Sequence, residues 1–188
     1  MVMRTSLQNT VTDLLKDKLS EGKTLCFSVT SGSMEPQIRA GDRVIVSGCR
    51  VAELKAGDII LFQKGSIFCT HRFVRKLDSD LVIAKGDRQT GFDTPFHQSQ
   101  IIGKVMAIER NQRRIDLRRP KLQQRNNFIG QLANIQWTIY SSAKHIQRAL
   151  FKNRHSTFLI RMILSPISMI IRLVNHKIFI NDNGNRIK

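Results

Sequence analysis

IILFQKGSIFCTHRFV, residues 59–74, decides the fold. Two runs of branched and aromatic residues, IILF at 59–62 and IFCTHRFV at 67–74, flank the turn pair Gly65-Ser66. Such side chains fit a pleated surface, and a short Gly-containing connection joins antiparallel neighbours. The same texture continues on both sides of this hairpin. LCFSV at 25–29 and RVIV at 43–46 come before it, and LVIA at 81–84 and IIGKVMAI at 101–108 come after it. Turn residues separate the runs: Gly32, Gly41-Asp42, Gly57-Asp58, Asp78 to Asp80 and Gly86-Asp87. Short strands at this spacing, with no helices between them, predict a mainly β domain over residues 22–109, an antiparallel barrel or coiled sheet.

Helical periodicity lies at the two ends. Residues 1–21 are expected to form an N-terminal amphipathic helix, because Leu7, Val11, Leu14, Leu15 and Leu19 recur at helical intervals before Gly22. The stripe is expected to pack on the domain. Residues 110–123 begin with the basic run RNQRRIDLRRPKL, which contains Pro120, and read as a linker. Residues 124–188 read as a basic helical extension, with Phe128, Leu132, Ile135, Ile139, Ile146 and Leu150 as its first apolar stripe. Within it, TFLIRMILSPISMIIRLV at 157–174 is the most hydrophobic stretch, interrupted by Arg161, Pro166 and Arg172. It is barely long enough to span a bilayer, and charges inside a span are costly. An interfacial helix with its cations at the headgroups is expected, with a hairpin packed on the protein as the alternative.

The net charge of +17 is distributed unevenly. Residues 1–109 hold 15 Lys/Arg and 12 Asp/Glu, whereas residues 110–188 hold 16 and 2. The basic half therefore suggests an anionic membrane surface or nucleic acid as a neighbour, or a merely solvated basic face. Cys26, Cys49 and Cys69 have no metal-ligand spacing, and no cofactor is called for. Cys26 and Cys69 stand among apolar residues, where buried free thiols are expected, and this favours a reducing compartment. Residues 1–24 hold Asp13, Lys16, Asp17 and Lys18 and no apolar run, so neither a cleavable signal nor an N-terminal span is expected there.

The sharpest motif is SGSMEP at 31–36, immediately after a predicted strand. On its own it would pass for an ordinary Ser/Gly turn. Four downstream segments change that reading: IRAGDRVIV at 38–46, AGDIILF at 56–62, THRFVRK at 70–76 and IAKGDRQTGFDTP at 83–95. This order and spacing resemble the signal-peptidase family of serine proteases, specifically the endoplasmic-reticulum, archaeal and sporulation-type branch. The resemblance covers residues 26–108.

The resemblance implies a serine endopeptidase that cleaves a leader or signal peptide. It assigns Ser33 as nucleophile and His71 as general base, at the position where the bacterial housekeeping branch has a lysine. The chemistry agrees, since a serine hydroxyl needs a neighbour to take its proton and histidine titrates near neutral pH. Phe68 and Val74 are expected to pack beside the base. A third group should fix its tautomer. Asp93 in GFDTP matches that position and Asp87 in KGDR matches a loop-shaping aspartate, but Arg88 and Thr94 depart from the family pattern, so the division of labour between the two stays open with Asp93 favoured. The oxyanion hole maps onto the Ser33 backbone N–H and the Ser31 hydroxyl. Lys85 in AKGD is expected to be structural, and the remaining histidines are expected at the surface.

The family binds substrate as an added strand, and LCFSV offers a docking edge. The alternative is an inactive or self-cleaving regulator, or a binding module on the same fold, held to anionic membrane or nucleic acid by the basic half. Nucleic acid is disfavoured, because related repressors use lysine as base and carry a helix-turn-helix ahead of the protease. The domain is expected on the cytoplasmic side, associated with the membrane peripherally or through residues 157–174.

Overall fold

Each apolar run of the first half forms a strand in the computed structural model, which describes residues 2–77, 80–150 and 169. After helix α1 (Val2–Ser20) come β1 (Thr24–Ser28), β2 (Arg43–Ser47), β3 (Ile59–Lys64), β4 (Ile67–Lys76), β5 (Leu81–Lys85), β6 (Phe96–His97), β7 (Ile101–Arg110) and β8 (Arg113–Asp116). They make one antiparallel sheet in the order β1-β2-β7-β3-β4-β5-β6, with β8 added to β7. The sheet curls on itself, bringing the Phe27 ring of β1 to 6.1 Å from the Phe68 ring of β4. Inside the curl, Met34, Ile38, Val44, Val46, Ile59 and Leu61 form the main core. Bulges in β2–β7 and β3–β7 pairing fit this curvature.

Helix α1 docks through only part of the stripe its periodicity predicts. Leu15 and Leu19 reach the core, but Val11 and Leu14 stay 45% and 57% exposed. Thr12 is buried instead and donates to the Gln63 side chain, while Lys16 donates to the Ser99 carbonyl. Polar contacts to the sheet thus share the docking with Leu15 and Leu19 of the predicted stripe, while Val11 and Leu14 stay exposed. Cys26 also departs from expectation, lying exposed on β1.

The stretch expected as a linker is structured. Asn111 and Gln112, both at positive φ, turn β7 into β8, and Leu117 and Leu122 enter the main core. Pro120 opens helix α2 (Pro120–Leu150) rather than ending a segment, because a first helical residue needs no backbone N–H. On α2 the face toward the sheet carries Leu122, Asn126, Ile129, Ala133 and Gln136. The predicted stripe is not that face: Phe128 and Ile135 are 52% and 56% exposed. The helix meets the β3 side backbone to backbone, since a Cβ on Gly130 would stand 2.1 Å from the Gly57 nitrogen. Residues 157–174 lie outside the described residues apart from Met169, which is exposed. No helix among the described residues is long and apolar enough to cross a membrane.

Candidate active site

Ser33 sits on the loop that leaves β1. Met34 and Ile38 anchor this loop in the core, and the Ile38 N–H donates to the Met34 carbonyl at 3.0 Å. The segment after β5 clamps it from the other side. The Arg88 N–H donates to the Ser33 carbonyl at 2.9 Å, and a Cβ on Gly86 would lie 2.9 Å from that same oxygen. Glycine at 86 therefore lets the two backbones touch.

His71 lies in β4 opposite Ile60 of β3. Side chains alternate across a strand, so His71 and Arg72 point to opposite faces. His71 is buried, its ring centroid 5.8 Å from that of Phe62. Its Nε2 lies 3.2 Å from Ser33 Oγ, and its Nδ1 lies 2.6 Å from Asp93 Oδ2. A carboxylate accepts only, so Nδ1 carries a proton, and whenever Nε2 is unprotonated it faces the hydroxyl as an acceptor. The expected apolar neighbours are elsewhere: Phe68 turns to Phe27, and Val74 packs in a separate cluster with Ile83 and Ala133.

Asp93 is buried, fixed by its own N–H to the Ala84 carbonyl at 3.0 Å. Its second oxygen, Oδ1, accepts from Lys64 Nζ at 2.9 Å. Burial pushes the carboxyl up, but the hydrogen bonds and charges of His71 and Lys64 outweigh it and hold the group below the ordinary carboxylate value. Ser31 Oγ stands 3.3 Å from Ser33 Oγ, beside the reacting hydroxyl.

Asp87 is not at His71. Arg72 takes it in a fork, Nε to Oδ1 at 2.8 Å and Nη2 to Oδ2 at 2.6 Å, with the Arg72 and Asp87 side chains 1% and 3% exposed. Arg72 also donates to the Gly57 carbonyl, to Gln37 of the serine loop and to Asn126 of α2. Gln37 in turn donates to Asn126 at 3.0 Å. Lys85 is buried too, but it donates to Gln136 of α2 and lies over the Phe92 ring, away from Ser33. Phe92, next to Asp93, packs edge-on against Trp137 of α2 at 5.0 Å.

Helix α2 therefore backs all three segments that carry Ser33, His71 and Asp93. Neither that backing nor the Lys64 contact had a signal in the sequence. Lys64 reads as an ordinary strand-end cation, and Asn126 and Gln136 read as surface positions of a polar helix.

Two strand edges open beside Ser33. Among the described residues, β1 is the end of the sheet and pairs only with β2. β4 pairs with β5 only from Arg72 onward, so Ile67 to His71 leave one edge without a strand partner among the described residues. Of the described residues, no group of three or more His, Cys, Asp or Glu side chains could hold a metal ion.

The sequence matches the family described as Peptidase S24-like over residues 4–106, more than half of the chain. The matched span takes in α1, the serine loop and all the strands through most of β7, whereas β8 and α2 lie beyond it. No curated protein matches the chain.

Proposed function

The chain belongs to the Peptidase S24-like family, and from that premise we propose that it is a serine endopeptidase of the signal-peptidase type, cutting a leader or signal peptide. The observation that carries this reading is the unbroken relay from Ser33 Oγ through both His71 nitrogens to Asp93.

In this mechanism His71 Nε2 takes the Ser33 proton as Oγ attacks the scissile carbonyl carbon. The new imidazolium is stabilised by Asp93, which keeps Nδ1 protonated throughout. The carbonyl oxygen, now an oxyanion, is met by the Ser33 backbone N–H and the Ser31 hydroxyl. His71 then returns its proton to the leaving amine, and an ester to Ser33 remains. Water attacks this ester with His71 again as base, releasing the new carboxyl end. The substrate lies as an extended strand along the open edges of β1 and β4, which supply main-chain hydrogen bonds.

We assign the place of action to an anionic membrane surface. The exposed Phe128 and Ile135 of α2 and the 16 Lys/Arg against 2 Asp/Glu of residues 110–188 support it. The signal-peptidase reading is tested by challenging the full chain, Ser33→Ala and His71→Ala with a peptide library in the presence of lipid. Cleavage by the parent that vanishes in both folded variants is expected. Cleavage by the parent that both variants keep, or none by any protein, defeats the reading and leaves a binding module on the same fold.

A further inference from the structure

The Lys64–Asp93 contact has no place in the proposed Ser33–His71–Asp93 relay. Lys64 is the last residue of β3, paired with Ile67 across the hairpin that carries His71. Its side chain is 52% exposed, yet its ammonium meets a carboxylate only 2% exposed, at 2.9 Å. Among the described residues it is the side chain that donates to Oδ1, while Oδ2 faces His71. The carboxylate is thereby held by one donor on each oxygen, and its rotation is fixed.

Resting on the triad assignment above, we propose that Lys64 is a positioning residue. It orients Asp93 toward His71, and its charge sets the pH at which His71 becomes a free base. A carboxylate beside an imidazole stabilises the imidazolium, and a cation on the same carboxylate opposes that. Lys64 therefore keeps Asp93 as a hydrogen-bond acceptor while offsetting part of its charge. The hydrogen bond to Asp93 raises the Lys64 pKa, so the cation persists through the working range. The other titratable groups around the relay do not replace it. Cys69 of β4 is a thiol pushed up by burial and hence neutral. His97 of β6 is paired with Asp80 at the surface, and Arg88 with Glu35. Arg72 and Asp87 neutralise each other on the far face of β4.

The experiment is an NMR titration of the His71 ring in the full chain, for the parent, Lys64→Met and Lys64→Arg, with His71→Ala fixing the assignment. The same proteins are followed over pH on any peptide the parent cleaves. Removing the cation lets His71 keep its proton to higher pH, so its midpoint in Lys64→Met should rise by roughly half to one unit, a partly exposed charge being partly screened. The acid limb of kcat/KM should move the same way, with an about three- to tenfold loss well below the midpoint that recovers at higher pH, the expected size of such a midpoint shift. Lys64→Arg should keep the parent midpoint. A merely structural lysine would lower activity evenly across pH without moving the midpoint, and that result, or identical titrations in parent and Lys64→Met, overturns the proposal. A moved midpoint in a protein that cleaves nothing would sink the peptidase reading and leave the Lys64 assignment standing.

Discussion

The two faces of β4 are built from neighbouring residues, and they solve opposite problems. On one face His71 sits in a chain of single contacts: one to Ser33 at 3.2 Å, one to Asp93 at 2.6 Å. That chain ends in an exposed cation, Lys64, and opens onto strand edges that have no strand partner among the described residues. On the other face Arg72 is saturated by Asp87, Gln37, Asn126 and the Gly57 carbonyl, and the whole group is closed to water. The first face keeps a titratable group able to exchange a proton. The second fixes charges permanently and ties the serine loop, the base strand and α2 into one body. Only five residues separate Asp87 from Asp93, yet the direction of each side chain decides its chemistry. A buried pair is weak evidence of net stability, but breaking it by removing one partner is costly.

The widest separation between the faces should come from Ser33→Ala and His71→Ala. Each is expected to lower kcat by about a millionfold, because members of such a relay act as a unit, while thermal melting stays near the parent. Next, Asp93→Asn should cost on the order of 10³–10⁴ in kcat with KM little changed, since the wrong histidine tautomer is then favoured. Asp87→Ala should do the reverse. It leaves Arg72 buried and unpaired, so unfolding by denaturant should show a loss of about 3–5 kcal/mol. A folded Asp87→Ala that retains full stability would break the comparison.

Smaller effects sharpen it. Ser31→Ala should slow single-turnover cleavage by about a hundredfold, up to the loss typical of one oxyanion donor. The smallest effect lies away from both faces, at Asp116, whose carboxyl Arg118 holds down at about 2 from an ordinary 3.8. A lowered folded pKa stabilises above the unfolded value and loses that contribution as pH falls through the folded one. Arg118→Ala should therefore weaken the protein slightly above pH 3.8 and match the parent near pH 2 in acid-melting curves.

Much of this is readable from residues alone. The strand runs of residues 22–109 are visible because period-two, branched and aromatic segments between turn residues leave few other folds. The two-residue strand β6 and the basic strand β8 are not, since pairing with β5 and β7 makes them strands and their own composition does not. The docked faces of α1 and α2 escape a sequence reading for a similar cause. Periodicity locates an apolar stripe, but the docked faces also carry polar residues bonded to the sheet, Thr12 to Gln63 and Asn126 to Arg72, which periodicity does not mark. At the candidate site, Ser33, His71 and Asp93 can be named from motif order, whereas Lys64 is invisible: it reaches Asp93 across 29 positions of chain.

By itself, then, the sequence determined the antiparallel sheet, the uneven charge, and the residue types able to form a serine relay. These arise from local preferences and spacing, which act along the chain. Tertiary structure alone decided that Asp87 turns away to Arg72, that Lys64 joins Asp93, that α2 backs the site, and that Phe128 and Ile135 of its apolar stripe stay exposed. Those outcomes depend on which polar groups find partners once strands from distant positions pack together, because a buried charge without a partner costs more than an exposed apolar side chain.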